Sequence, residues 1–386
     1  MSATPVYLDN NATTRPDPRV IEAMLPYFSE HFGNAASTAH AFGWNAYDGV
    51  EKARASIAAL IGADHREIVF TSGATEADNL ALRGVAEAYR SKGRHIVTST
   101  IEHKAVLDTA HQLEAEGISV TYLPVDSTGR VDLDAIAGVI TSETVLVSMM
   151  LANNEIGTLQ DVAQIGAICH ERGVVFHTDA TQAIGKVPVD VEAMQIDLMS
   201  FTAHKMHGPK GVGALYVRRR SPRVLLTPQM TGGGHESGRR SGTLNTPGIV
   251  GFGEAARISA AEMDDEACQV RAMRDRLESA LLSIDGTRLN GHPTLRLPNT
   301  LNLLIPGVEA DAIMSAVSDV AMSAGSACST ASITASHVLK AIGLTDQEAS
   351  CSIRLATSRF TTEAEIDYAA RRIVEAVAKR RQLTGV

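Results

Sequence analysis

A chain of 386 residues, 44% apolar and 20% charged, has material for a large buried core and about two domains, which excludes an intrinsically disordered protein. Its formal net charge of −9 argues against a general nucleic-acid binder, because nonspecific binding needs a basic surface. The N-terminal MSATPVYLDNN lacks the charged and apolar regions of a signal peptide, no apolar run reaches a membrane span, and Cys169, Cys268, Cys328 and Cys351 show no CxxC spacing; a cytoplasmic protein with reduced thiols is expected.

In chain order, Asp17 and Pro18 read as N-cap and first residue of a helix carrying Ile21, Met24, Leu25 and Phe28 on one face, broken by FGNAAS at 32–37. A second helical pattern holds Val50, Ala53, Ile57 and Leu60. The short strand Ile68–Phe70 leads into Thr71, Ser72, Gly73, Ala74, Thr75 and Glu76, and then into a helix with Leu80, Val85 and Tyr89. Small residues opening a helix offer backbone N–H groups to a phosphate, although ordinary N-capping explains them as well. Strands at 95–99, 118–123, 144–151, 174–177, 197–201 and 212–217 alternate with helices, one of them carrying Val106, Leu107, Ala110 and Leu113 and another at 162–172. Gly93, Gly117 and Gly173 are expected to close helices. This alternation predicts an α/β fold with a mostly parallel sheet covered on both faces, over residues 15–255. A long helical pattern with Val270, Met273, Leu277, Leu281 and Ile284 then opens a smaller α+β domain, residues 256–386, joined by residues 1–14; its last helix starts at the capping-box pair Thr362 and Glu365. Arg218, Arg219, Arg220 and Arg223 form one basic run, read as a solvated strand end or a dock for an acidic partner.

The chemistry centres on Asp197 to Gly213, DLMSFTAHKMHGPKGVG. A buried strand there delivers Lys205 at its exit, where a desolvated lysine beside another cation forms a Schiff base with a carbonyl cofactor; a plain surface lysine is the competing reading. The preceding strand ends in His177, Thr178 and Asp179. A carboxylate in that place suits the pyridinium nitrogen of pyridoxal phosphate, whereas a lone Asp is more often a cap or turn residue. There is no GxxxxGK[ST], and Gly211–Gly213 precedes a strand, so a P-loop and a dinucleotide fingerprint are both excluded. A metal hydrolase built on His177, Asp179, His204 and His207 is a third possibility; it leaves the lysine and the GATE loop without a task.

TSGATEADN (71–79), EHKAVLD (102–108), NNEIG (153–157), HTDATQA (177–183), SFTAHKMHGPKG (200–211) and GSACSTAS (325–332) together resemble the cysteine desulfurases of the class V aminotransferase group, from Tyr7 to about Asp367. The resemblance implies a fold type I, aspartate aminotransferase-like architecture with a seven-stranded sheet, pyridoxal 5'-phosphate as cofactor, and no metal. It implies that Lys205 anchors the cofactor and moves the substrate Cα proton, that Asp179 holds the ring nitrogen, and that His103 stacks on the ring as acid and base. Gln182 and Asn154 then serve the phenolate oxygen, with Asn154 also near the substrate. Ala74, Thr75, Thr202 and His204 are implied at the phosphate, and Thr243 reaches it from the second subunit of a homodimer. Arg354, with Arg359 as competitor, is implied to bind the carboxylate of L-cysteine. Cys328, in a loop of small residues, is implied to take the sulfur as a persulfide and pass it to an acceptor: an iron–sulfur scaffold, a tRNA-thiolation enzyme or a DNA-sulfur system. A selenocysteine lyase or an aminotransferase of the same fold are the related alternatives. Relatives often carry Pro where Ala35 stands, Ser at Thr202 and FSLGRF where this chain has LATSRF.

Overall fold

The computed structural model describes residues 5–324 and 335–384. Its strands are β1 (Val6–Tyr7), β2 (Ile68–Thr71), β3 (His95–Ser99), β4 (Ser119–Leu123), β5 (Thr144–Ser148), β6 (Val175–Asp179), β7 (Leu198–Thr202), β8 (Gly213–Val217), β9 (Arg288–Leu289), β10 (Thr300–Leu304), β11 (Val320–Ala321), β12 (Ser323–Ala324) and β13 (Ser352–Ala356). Seven of them form one sheet in the order β2-β8-β7-β6-β5-β3-β4, in which β8 alone runs against its neighbours. The first helices are α1 (Pro18–Met24), α2 (Pro26–Ser29), α3 (Ala41–Leu60), α4 (Ala74–Ala88), α5 (Lys104–Ala115), α6 (Leu133–Val139), α7 (Val162–Glu171) and α8 (Thr246–Leu282). The architecture is the mostly parallel α/β sheet of fold type I.

The strands read as unbroken apolar runs because both faces are covered. Alternate residues serve opposite sides: Phe70, Val97, Val147 and Phe176 join one cluster with Val50 and Ile57 of α3, Ile165 of α7 and Phe252 of α8, whereas Val69, Ile96, Leu146 and Val175 join another with Leu80 and Val85 of α4 and Val106 of α5. A smaller antiparallel sheet, β12-β13-β10-β9, packs in a separate cluster that combines Val6 and Leu8 with Leu277, Leu281, Leu303, Ile353 and Ile373. Helix α8, 37 residues long, enters both cores: Ile249 and Phe252 lie in the large one, Leu277 and Leu281 in the small one. It runs unbroken through residue 255.

Three local expectations change. Asp17 does cap α1 and Pro18 does open it, but Pro26 starts α2 after one intervening residue, and the expected apolar face points outward: Val20 is the buried residue of α1, while Leu25 and Phe28 are 58% and 63% exposed. Phe32, Phe42, Trp44 and Tyr47 are exposed nearby in the chain. The strand expected to reach 151 leaves the sheet ladder after Ser148. Gly117 and Gly173 have the positive φ of helix-closing residues, but Gly93 does not; a Cβ there would stand 2.2 Å from the Glu143 carbonyl oxygen, so a close backbone crossing requires it.

Helices α3 and α8 come into backbone contact at Gly253, where an added Cβ would lie 2.4 Å from the Cα of Ala53. Backbone rather than a flexible side chain occupies that space, so Gly253→Ala forces the helices apart. We expect it to destabilise the protein by about 1–3 kcal/mol, read as a lower Tm in thermal unfolding.

Candidate active site

The C-terminal ends of the parallel strands converge on one cavity of about 490 Å³, where open α/β sheets place their ligands. Strand β7 runs into a 3-10 turn, Ala203–Lys205, which puts Lys205 on the cavity wall. Gly208 follows closely: a Cβ there would meet Ala203 Cβ at 2.7 Å, so only glycine lets the turn fold back. The N-terminal segment clamps the turn, with Thr14 donating from both N and Oγ1 to His204 O at 2.9 Å. Lys205 Nζ donates to the carbonyl oxygens of Asn11 and, at 2.8 Å, Ala12.

Strand β6 ends in Asp179, 5% exposed, whose Oδ1 accepts from Thr181 N at 2.9 Å. Beneath it His177 is held between Ser148 Oγ at 2.8 Å and Ser200 Oγ at 2.9 Å, and burial pushes its pKa down to about 3. Asp78 of α4 is fully buried with Oδ1 3.7 Å from His177 Nε2. Burial, and then the charge of Asp179, hold Asp78 well above the usual carboxylate range. Burial likewise lifts Glu102 to about 8 against hydrogen bonds from Ser99 Oγ, at 2.6 Å, and Met150 N, at 2.9 Å. With these two acids held neutral, the carboxyls that line the cavity are Asp179 and Glu76, the latter paired with Arg240 at 2.7 Å.

At another part of the wall, Ser72, Gly73, Ala74 and Thr75 lead into α4. Gly73 is the N-cap and offers no side-chain cap, so the first N–H groups of this 15-residue helix are open to an anion. His204 also lines the cavity; its Nδ1 lies 3.1 Å from Thr13 Oγ1, and burial with the neighbouring charges of Lys205 and Lys210 lowers it to about 4. Thr202 lines the cavity too, although its hydroxyl donates to Val212 O at 2.9 Å. His103 caps α5, its Nδ1 accepting from Ala105 N at 3.1 Å, and so presents its ring to the cavity. Gln182 donates from Nε2 to Asn11 O at 2.9 Å, and Asn154 accepts through its backbone oxygen from Asn11 Nδ2 and Arg354 Nη1, each at 3.1 Å.

Arg354 is 2% exposed and lines the cavity; Nη2 donates to Asp9 Oδ1 at 2.8 Å, and Nε has no partner among the described residues. Arg359, the competitor, does not line this cavity and is held by Asp17, Glu262 and Glu266. Thr243 is exposed and away from the cavity of its own chain. Cys328 lies outside the described residues. Among those residues no group of three or more His, Cys, Asp or Glu could hold a metal ion, so the hydrolase reading loses its site. The sequence reading missed Asn11 and Ala12, which act through backbone oxygens that leave no residue signature. It also missed Asp78, which was visible as an acid on the apolar stripe of Ala77, Leu80 and Ala81.

A lysine amine, a buried acid and an uncapped helix N-terminus around one cavity fit the reactive carbonyl, ring nitrogen and phosphate of pyridoxal phosphate; fold and site together define a pyridoxal phosphate enzyme of fold type I. Residues 6–369 match the class V aminotransferase family. A protein named cysteine desulfurase IscS from Anaeromyxobacter dehalogenans (strain 2CP-C) is 54% identical over 381 residues, covering 98% of this chain and 94% of its own. Among solved structures, a NifS-like protein gives a TM-score of 0.90 at 39% identity, covering 97% of this chain and 99% of that one. SspA in complex with cysteine gives 0.81 at 35% identity, covering 92% and 100%. The chain belongs to the class V aminotransferase family.

The raised pKa of Glu102 has a signed consequence. The folded state keeps a proton that the unfolded state releases above about 4.5, so stability falls as pH rises from there to about 8. Glu102→Gln removes that dependence, and we expect its unfolding free energy relative to the parent, read by denaturant titration, to be more favourable at pH 8 than at pH 5 by on the order of a few kcal/mol.

Proposed function

We propose that in this enzyme, a pyridoxal phosphate-dependent cysteine desulfurase, Lys205, Arg354 and Cys328 act in turn on one molecule of L-cysteine. The observation that carries the reading is the meeting of Lys205, in the turn after β7, and Asp179, at the end of the adjacent strand β6, at a cavity that also receives the open N-terminus of α4. When bound, the cofactor supplies an electron sink for the bond broken at the substrate Cα. Asp179 keeps the ring nitrogen protonated. The backbone N–H groups from Ala74 onward, with Thr75 and His204, hold the phosphate, and Thr202 joins them by turning its hydroxyl from Val212 O. Gln182 and Asn154 donate to the ring oxygen, and His103 covers the ring.

Arg354, already oriented by Asp9, receives the substrate carboxylate on its remaining N–H groups. Lys205 takes the Cα proton once its amine is free of the cofactor. The Cys328 thiolate attacks the substrate Sγ: a sulfur–sulfur bond forms, the Sγ–Cβ bond breaks with its electron pair going to carbon, and a proton completes alanine. Residues 15–255 would form the cofactor domain, with 1–14 and 256–386 forming the domain that carries Cys328; the two separate apolar cores support this division.

The outward apolar side chains of Ile21, Leu25, Phe28, Phe32, Phe42, Trp44 and Tyr47 support a homodimer, in which Thr243 meets the phosphate of the opposite subunit. We infer a cytoplasmic enzyme; no helix among the described residues is long and apolar enough to cross a membrane. Of the possible acceptors, an iron–sulfur scaffold is the one that 54% identity to a protein named IscS supports.

Incubation with L-cysteine followed by intact-mass and peptide analysis should find one added sulfur on Cys328, and Cys328→Ser should abolish sulfide release while leaving cofactor absorbance intact. Alanine accumulating while Cys328 stays unmodified would sink the sulfur route. Arg354→Lys loses the forked contact and should raise KM for cysteine about 10–100-fold, again with cofactor bound; an unchanged KM would move the role elsewhere.

A further inference from the structure

Next to the residues of the reaction stands a second lysine to which the chemistry above gives no task. Lys186 Nζ donates to the backbone oxygen of Gln182 at 2.9 Å and to its side-chain Oε1 at 3.2 Å. The other end of the same amide, Nε2, donates to Asn11 O, the carbonyl that also takes Lys205 Nζ. A carboxamide has one accepting end and one donating end. With an ammonium on the oxygen, the NH2 group is left to face the carbonyl and the cavity that Gln182 lines.

We propose that Lys186 is a positioning residue: it fixes Gln182 with its NH2 toward the cofactor's ring oxygen, and thereby sets how tightly the resting chromophore between the cofactor and Lys205 binds its proton. The inference rests on the assignment of Gln182 made above. The titratable groups facing Lys186 are Lys205 and His204 from the turn after β7, Glu266 from α8, and His207 beside it. Glu266 is itself engaged by His207 and Arg359. Burial, then the charge of Lys205, bring Lys186 down to about 7, with Glu266 opposing. A directed N–H donor and a positive charge on the ring-oxygen side both draw electron density from the chromophore and disfavour its protonated form. Removing Lys186 therefore strengthens proton binding there.

In the cofactor-loaded enzyme titrated by visible absorption, Lys186→Met should raise the apparent pKa of the chromophore by about one unit, tenfold in proton affinity, while Lys186→Arg stays near the parent value. A merely structural lysine would change Tm and leave that pKa in place. An unmoved pKa in loaded Lys186→Met, or an equal shift in Lys186→Arg, overturns the proposal. Gln182→Leu separates the two layers: if it too fails to move the pKa, the assignment of Gln182 is at fault, and if it alone moves the pKa, only the role of Lys186 is. Should Lys186→Met not fold, selective 15N-glutamine labelling of the unaltered enzyme serves instead. The Gln182 side-chain signal, identified by its loss in Gln182→Leu, should shift as Lys186 titrates, and a signal flat across that range overturns the proposal.

Discussion

The lysine at the exit of β7 is held by peptide oxygens that the N-terminal end of the chain supplies. Asn11 O and Ala12 O accept from Lys205 Nζ, and the segment that carries them is tied to both cores. Toward the small core, the Asn10 side chain donates to Ala356 O at 2.7 Å, and Asn11 Nδ2 donates to Thr300 Oγ1 at 2.9 Å. Toward the large one, Thr14 grips His204, and its Oγ1 accepts from His207 N at 2.9 Å. Residues 9–14 thus act as a wedge: without them the turn after β7 loses its clamp and Arg354 loses Asp9. These contacts are buried or part-buried, which is where a hydrogen bond left unmade costs most.

Much of this was legible in the sequence because strand exits carry their own punctuation. Apolar runs ending in Asp179 and Lys205, and a strand followed by small residues through Thr75, by themselves point to the C-terminal edge of a parallel sheet. The residues that bring backbone acceptors to Lys205 were not legible, since Asn11 and Ala12 work through a group that every residue has. Periodicity also misled at Ile21, Leu25 and Phe28: an apolar stripe says that a face avoids water, without saying whether its own chain or another covers it. Gly93 was read as a helix stop when the contact with Glu143 O was the reason for it, a long-range crossing that local pattern does not reveal.

The buried acids show how the fold suppresses charge beneath the cavity. Asp78, Glu102 and Asp179 lie close enough to influence each other, and like charges that close in a poorly solvated region disfavour joint ionisation. His177, fixed between two serines, adds no cation to relieve them. Depth sets the difference in surroundings: Asp78 and Glu102 are sealed in and held protonated by burial, while Asp179 lines the cavity.

Helix α8 reaches further than its place in either core suggests. At the usual rise, its 37 residues form a rod about 55 Å long, seated at one end in the large apolar interior and at the other in the small one. Neither interior can melt without stripping the rod from its neighbour, so the two should denature as a single cooperative transition even though each has its own hydrophobic centre. A rod shared in this way also restricts swinging of one half against the other, leaving shorter segments of chain to provide whatever travel the chemistry requires.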